Sequence, residues 1–203
     1  MNIDFVYAWK NTTCNQGNKS EYLICPVGKN DYLHVLYPPL DRGQIKKLFK
    51  TVGKIKSPPS KSVASYEAFL QSTNGAELYG GSVVLFGYAE KGTLGNEEGL
   101  PASLLAENAS DATSKILPQV LYVGNAVFSV KKNVHFYLNL DSGLVVGAVD
   151  GNIEIQWANF DAFLKYIYQA YDTNYSTDTG RHLYFNQREK GVINNIQCFT
   201  LNI

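Results

Sequence analysis

Cysteine is scarce in this chain of 203 residues, with only Cys14, Cys25 and Cys198. An odd number with no Cys-x-x-Cys or Cys-His spacing excludes a disulfide framework and points away from a zinc site. Net charge is missing too, because 18 basic and 18 acidic side chains cancel. Nothing in that balance marks a nucleic-acid binder or a protein of anionic membrane surfaces. No apolar run approaches the roughly 18 residues of a membrane span, and Met1-Asn-Ile-Asp is not a basic segment leading into an apolar one. The expectation is a cytoplasmic protein with reduced thiols, no membrane contact and no cofactor. Gly80-Gly81 and Gly92-x-x-Gly95 lack the strand, lysine and helix that a phosphate-binding loop requires.

What is present is apolar and aromatic. A hydrophobic content of 45% and fourteen tyrosines are enough for a sizeable single core. Charge is unevenly spread. Between Asp41 and Lys61 there are seven bases and one acid, whereas between Ala76 and Leu164 there are ten acids and four lysines. The basic run keeps its lysines on one helical face, so it reads as a solvated helix face and no direct nucleic-acid contact is expected.

Residues 1–40 read as short strands, with a hairpin turning at residues 28–31. Asp41 followed by Gln44 forms a capping box, and Ile45, Leu48, Phe49 and Val52 keep helical spacing up to Gly53. A second helix over residues 62–73 carries Val63, Tyr66, Phe69 and Leu70 on one side. Asn74-Gly75 supplies left-handed residues to stop it. A buried strand over 83–86, a loop over 89–99 and a short helix over 100–109 follow. Beyond them the pattern is β: an apolar run at 120–123, then Val134, Phe136, Leu138 and Leu140 alternating with His135, Tyr137 and Asn139. Asp150-Gly151 is a two-residue hairpin signal between residues 144–149 and Ile153, Ile155 and Trp157. Phe160, Phe163, Leu164, Ile167, Tyr168 and Tyr171 form a final helical stripe with Asn159 as N-cap. Two further strand-like runs occupy residues 183–186 and 192–201. The expected architecture is α+β: one domain over residues 1–203, with an antiparallel-rich mixed sheet, a meander, flanked by helices.

Tyr66, Phe69 and Leu70 before Asn74-Gly75, then Leu85-Phe86-Gly87, Tyr122-Val123-Gly124, residues 137–143 and Phe160, Phe163 and Leu164 form an ordered set. In that order the chain resembles the SUKH superfamily, the Smi/Knr-like group that includes yeast cell-wall regulators and many bacterial immunity proteins. The resemblance covers residues 41–171 and leaves 1–40 and 172–203 as extensions. It departs from the family where Val63 stands in place of a proline before the second helix. It implies a non-enzymatic module that neutralises a cognate polymorphic toxin by direct binding, the toxin often being a basic nuclease or deaminase. The alternative it allows is a regulatory scaffold of the cell-wall regulator type with no toxin partner.

An acidic rim with aromatic anchors would steer and hold a basic partner. The candidates are Glu77, Glu90, Glu97, Glu98, Asp111 and Asp150, with Tyr79 and Tyr88 as anchors. An enzyme is the least supported class. Of His34, His135 and His182, His135 sits on the outward face of its strand and reads as a surface or partly packed ring. Asp141 and Asp150 stand at turns, where Asp is favoured because it bonds its own backbone.

Overall fold

The computed structural model describes residues 13–15, 20–27, 30–56, 59, 63–89, 100–129 and 132–175. The expected strands at 183–186 and 192–201, and the loop at 90–99, lie outside the described residues. The elements are β1 (Thr13–Asn15), β2 (Glu21–Val27), β3 (Asn30–Leu36), α1 (Arg42–Ile55), α2 (Ala64–Ser72), β4 (Ala76–Leu78) and β5 (Val83–Leu85). They continue as α3 (Leu104–Ser110), α4 (Ala112–Ile116), β6 (Val120–Ser129), β7 (Lys132–Asn139), β8 (Val145–Val149), β9 (Asn152–Trp157) and α5 (Phe160–Tyr175). The described strands form one sheet in chain order, each antiparallel to the next. This is the α+β meander flanked by helices. Its parallel component is a single bridge, Gly87 to Ser103, outside the named strands. β2 pairs antiparallel with β3 up to Val27 and Asn30, and β3 pairs with β4, so the described sheet runs unbroken from the N-terminal strands into the meander; residues 28 and 29 of the expected turn lie outside the described residues.

Local chemistry sets most boundaries. Asp41 accepts from the Gln44 N–H at 2.8 Å and the Gln44 side chain accepts from the Asp41 N–H at 2.9 Å, closing the capping box. The helix does not stop at Gly53. It runs to Ile55 and closes on a bond from the Lys56 N–H to the Val52 carbonyl, because one glycine costs only about 1 kcal/mol in a helix whose opposite face is already packed. Asn159 caps α5 through the Ala162 N–H at 2.9 Å. Asp150 (φ 50°) and Gly151 (φ 80°) are both left-handed, the requirement of the tight turn between β8 and β9. Only Gly75 of the Asn74-Gly75 pair is left-handed; the Asn74 side chain has a different task, described below.

The alternation in β7 divides the molecule. Val134, Phe136 and Leu138 are fully buried against the helical layer, where Phe136 meets Phe163 at 4.7 Å and Trp157 meets Phe163 at 5.0 Å. Phe160 then contacts Tyr66 at 4.8 Å and Phe69 at 5.0 Å, joining α5 to α2. Each such ring contributes about 1.5–3 kcal/mol by leaving water.

His34 of β3 is fully buried and its Nδ1 accepts the Tyr79 N–H at 3.2 Å. Burial lowers its pKa from 6.5 to about 4. The folded chain therefore holds this ring neutral while the unfolded chain protonates it near pH 6.5. Stability is full above that pH and falls by about 1.4 kcal/mol per unit as the pH drops toward 4. Urea unfolding at pH 7 and pH 5 should show this loss, and His34→Gln should flatten it; an equally steep acid limb in the variant would assign the loss elsewhere.

Candidate functional site

The other face of the meander carries the side chains that alternate outward. Tyr122 of β6 and His135 and Tyr137 of β7 present near-parallel rings, with centroids 5.2 Å apart for Tyr122 and His135 and for Tyr122 and Tyr137. The short helices α3 and α4 lie beside this face and are fixed to β6 by Asn108. Its side-chain amide donates to the Tyr122 carbonyl at 2.7 Å and accepts the Tyr122 N–H at 2.9 Å. Asn108 thereby occupies the place of a neighbouring strand where β5 has ended. Asn74 does the same for Tyr88, accepting its N–H at 2.6 Å and donating to its carbonyl at 2.8 Å.

Asp111 sits at the junction of α3 and α4. One carboxylate oxygen caps α4 through the Ser114 N–H at 2.6 Å, and the other accepts from the Tyr137 hydroxyl at 3.1 Å. Burial, reinforced by the Asp111 charge, raises the Tyr137 pKa far above neutrality, and burial pushes Tyr122 up to about 12. Both hydroxyls stay neutral, so Tyr137 is a fixed donor to Asp111. Lys56 is a cation that feels the Asp111 charge. Burial lowers its pKa against the pull of Asp111, and its ammonium leans on the Leu117 carbonyl at 3.5 Å.

Between α4 and the β8–β9 turn these elements leave a groove. Its apolar part, about 180 Å³, is floored by Val120, Leu144, Val146 and Ile153. It continues past Thr113, Tyr137, Ala148 and Gly151 into a polar bay of about 340 Å³ that includes Asp111, Asn133, His135 and Asp150. A register shift between Gly147 and Ala148 sets Ala148 opposite Ile153, so that both line the groove.

Of the candidates, Asp111 and Asp150 are thus brought together. Glu77 is not: it lies on β4, half-buried, with its carboxylate accepting from the Tyr37 hydroxyl at 2.6 Å. Tyr79 and Tyr88 are corrected by their burial. At 1% and 8% exposure both rings belong to the core and cannot act as surface anchors. No period orients them, since Tyr79 sits in a left-handed turn at φ 54° and Tyr88 in irregular chain. Glu90, Glu97 and Glu98 lie outside the described residues. His135 is half-buried in the bay, and its Nδ1 is shielded from water without a hydrogen-bond partner among the described residues. Sequence reasoning missed Val146 and Ile153 as site residues. The available signal was apolar side chains on the outward face of a meander whose other face is already filled.

Among the described residues no group of three or more His, Cys, Asp or Glu is placed to hold a metal ion, and no helix is long and apolar enough to cross a membrane. The fold and the groove define the class: an α+β protein with a continuous antiparallel meander and a part-open cleft on one sheet face. Compared with protein-family models, curated proteins and solved structures, the chain has no significant match in any of the three.

Proposed function

We propose that this chain is a protein-binding module with no reaction of its own, an immunity protein that docks on a cognate toxin domain and holds it inactive. The groove is the observation that carries docking. Val146 and Ile153 remain partly exposed on its floor, which forgoes about 25 cal/mol for every Å² left in water. A partner side chain seated there recovers that energy. The apolar part alone is smaller than the roughly 300–1,000 Å³ clefts that enclose whole small ligands, and it suits a side chain. The aromatic rings, the Asn108 amide and the Asp111 bonds hold the groove in shape before binding, which lowers the entropy cost of association. Support for a toxin as the partner comes from the SUKH resemblance, in which such modules neutralise co-encoded toxins in the cytoplasm.

Val146→Arg places a charged side chain on the groove floor at a partly exposed position packed against the core edge, and leaves the buried face of β8 untouched. We expect a folded chain with a modestly lowered unfolding midpoint and at least about a tenfold loss of affinity for the product of the adjacent gene, measured by calorimetry on the co-purified pair. Unchanged affinity would place the interface elsewhere. Absence of any complex with that product would remove the immunity reading.

A further inference from the structure

We infer that the polar bay of the groove receives a cationic side chain, a guanidinium above all, from the partner's docking segment, while the adjoining apolar residue of that segment fills the floor over Val146 and Ile153. The inference rests on the docking reading above and names the chemistry of the docked segment.

Three features of the bay meet at this conclusion. It contains two carboxylates, Asp111 and Asp150, and no cationic side chain among its described lining. The Asp111 carboxylate is held by the Ser114 N–H and the Tyr137 hydroxyl, one bond to each oxygen. Each oxygen retains a free lone pair, the arrangement a planar guanidinium engages with two parallel N–H bonds. Beside it lies the half-buried His135 ring, backed by the buried Tyr137 ring at an interplanar angle of 14°, and a guanidinium stacks on such a face where an ammonium gains less. Lys56 offsets part of the Asp111 charge, yet it does not line the bay, and the second carboxylate keeps the bay anionic.

Direct contact between bay and apolar floor fixes the order of chemistry along the partner. The two parts share Thr113, Tyr137, Ala148 and Gly151, so neighbouring side chains of one segment occupy both.

The test is an amide NMR titration of the full chain with acetyl-leucyl-arginine amide and with acetyl-leucyl-citrulline amide, which keeps the shape and removes the charge. We expect saturable shifts at Thr113, Tyr137, Ala148 and Gly151, with the arginine probe at least about tenfold tighter. Asp111→Asn and Asp150→Asn should abolish that preference. Both variants retain the fold, because asparagine also caps helices and tolerates the left-handed turn. Equal affinity of the two probes, a preference that survives both substitutions, or shifts outside the groove would overturn the cation inference. If in that event Val146→Arg still weakened the natural complex, the docking reading would stand alone. If no probe shifts the groove and Val146→Arg is silent, both fall.

Discussion

Gly87→Ala is expected to destabilise the chain by more than about 3 kcal/mol, a large share of the 5–15 kcal/mol typical of a domain. A Cβ at this position would overlap the Asn74 carbonyl oxygen and stand 2.6 Å from Pro101 Cγ. Neither neighbour can give way cheaply. The Asn74 backbone is tied to Tyr37, and Gly87 is itself pinned by its N–H to the Ala102 carbonyl at 3.0 Å and by its carbonyl to the Leu104 N–H at 2.8 Å. Gly80→Ala is the control. That glycine has φ 64° but open space around it, so the substitution should cost only the left-handed strain of roughly 1 kcal/mol. Urea unfolding of the two variants should separate them by about 2 kcal/mol or more. Equal losses would mean that the close approach between the segments at 74–75 and 87 does not govern stability.

Asn108→Ala is expected to cost about 3–4 kcal/mol, because it strands buried backbone groups rather than removing a contact. Asn108 is 3% exposed. Its amide satisfies both the N–H and the carbonyl of Tyr122, and its oxygen also accepts from the Ser114 hydroxyl at 2.5 Å. No other described strand reaches Tyr122 on that edge, since β5 pairs with β6 only at residues 124–126. Each polar group left unpaired costs about 1–3 kcal/mol. The consequence reaches the groove, because Asn108 holds α3 and α4, and Asp111 joins the two. Thermal unfolding should show the loss of stability, and hydrogen exchange should show faster opening of residues 104–116 than of α5. Uniform opening across the chain would assign Asn108 to the global core instead.

Several residues of the ordered set meet in space. Asn74, Gly75 and Gly87 meet in one close crossing. Tyr66, Phe69, Phe160 and Phe163 meet in one ring cluster. These residues build the frame, and the groove lies on the face of β7 opposite the ring cluster.

Much of the frame was legible because its signals are local. The Asp41 and Gln44 capping box, the Asn159 cap, the Asp150-Gly151 turn and the two-residue period of β7 each depend on neighbours within a few positions. The strand β4 and the helix α4 were not legible. Three residues of β4 and five of α4 are too few to express a period, and their place is set by pairing partners far along the chain. The buried rings of Tyr79 and Tyr88 escaped for the same reason, as their surroundings come from β3 and from the segment around Asn74.

By itself, then, the sequence determined the element types and which face of each long element turns inward, since apolar spacing at 2 or 3.6 residues can be buried in only one way. Tertiary structure alone decided which of the scattered acids share a site. Asp111 and Asp150 meet because Asn108 fixes α3 and α4 to β6 while the strand register carries the β8–β9 turn to the same bay. Glu77 is left aside on β4. Proximity of that kind depends on long-range pairing and register, which no local pattern of residues encodes.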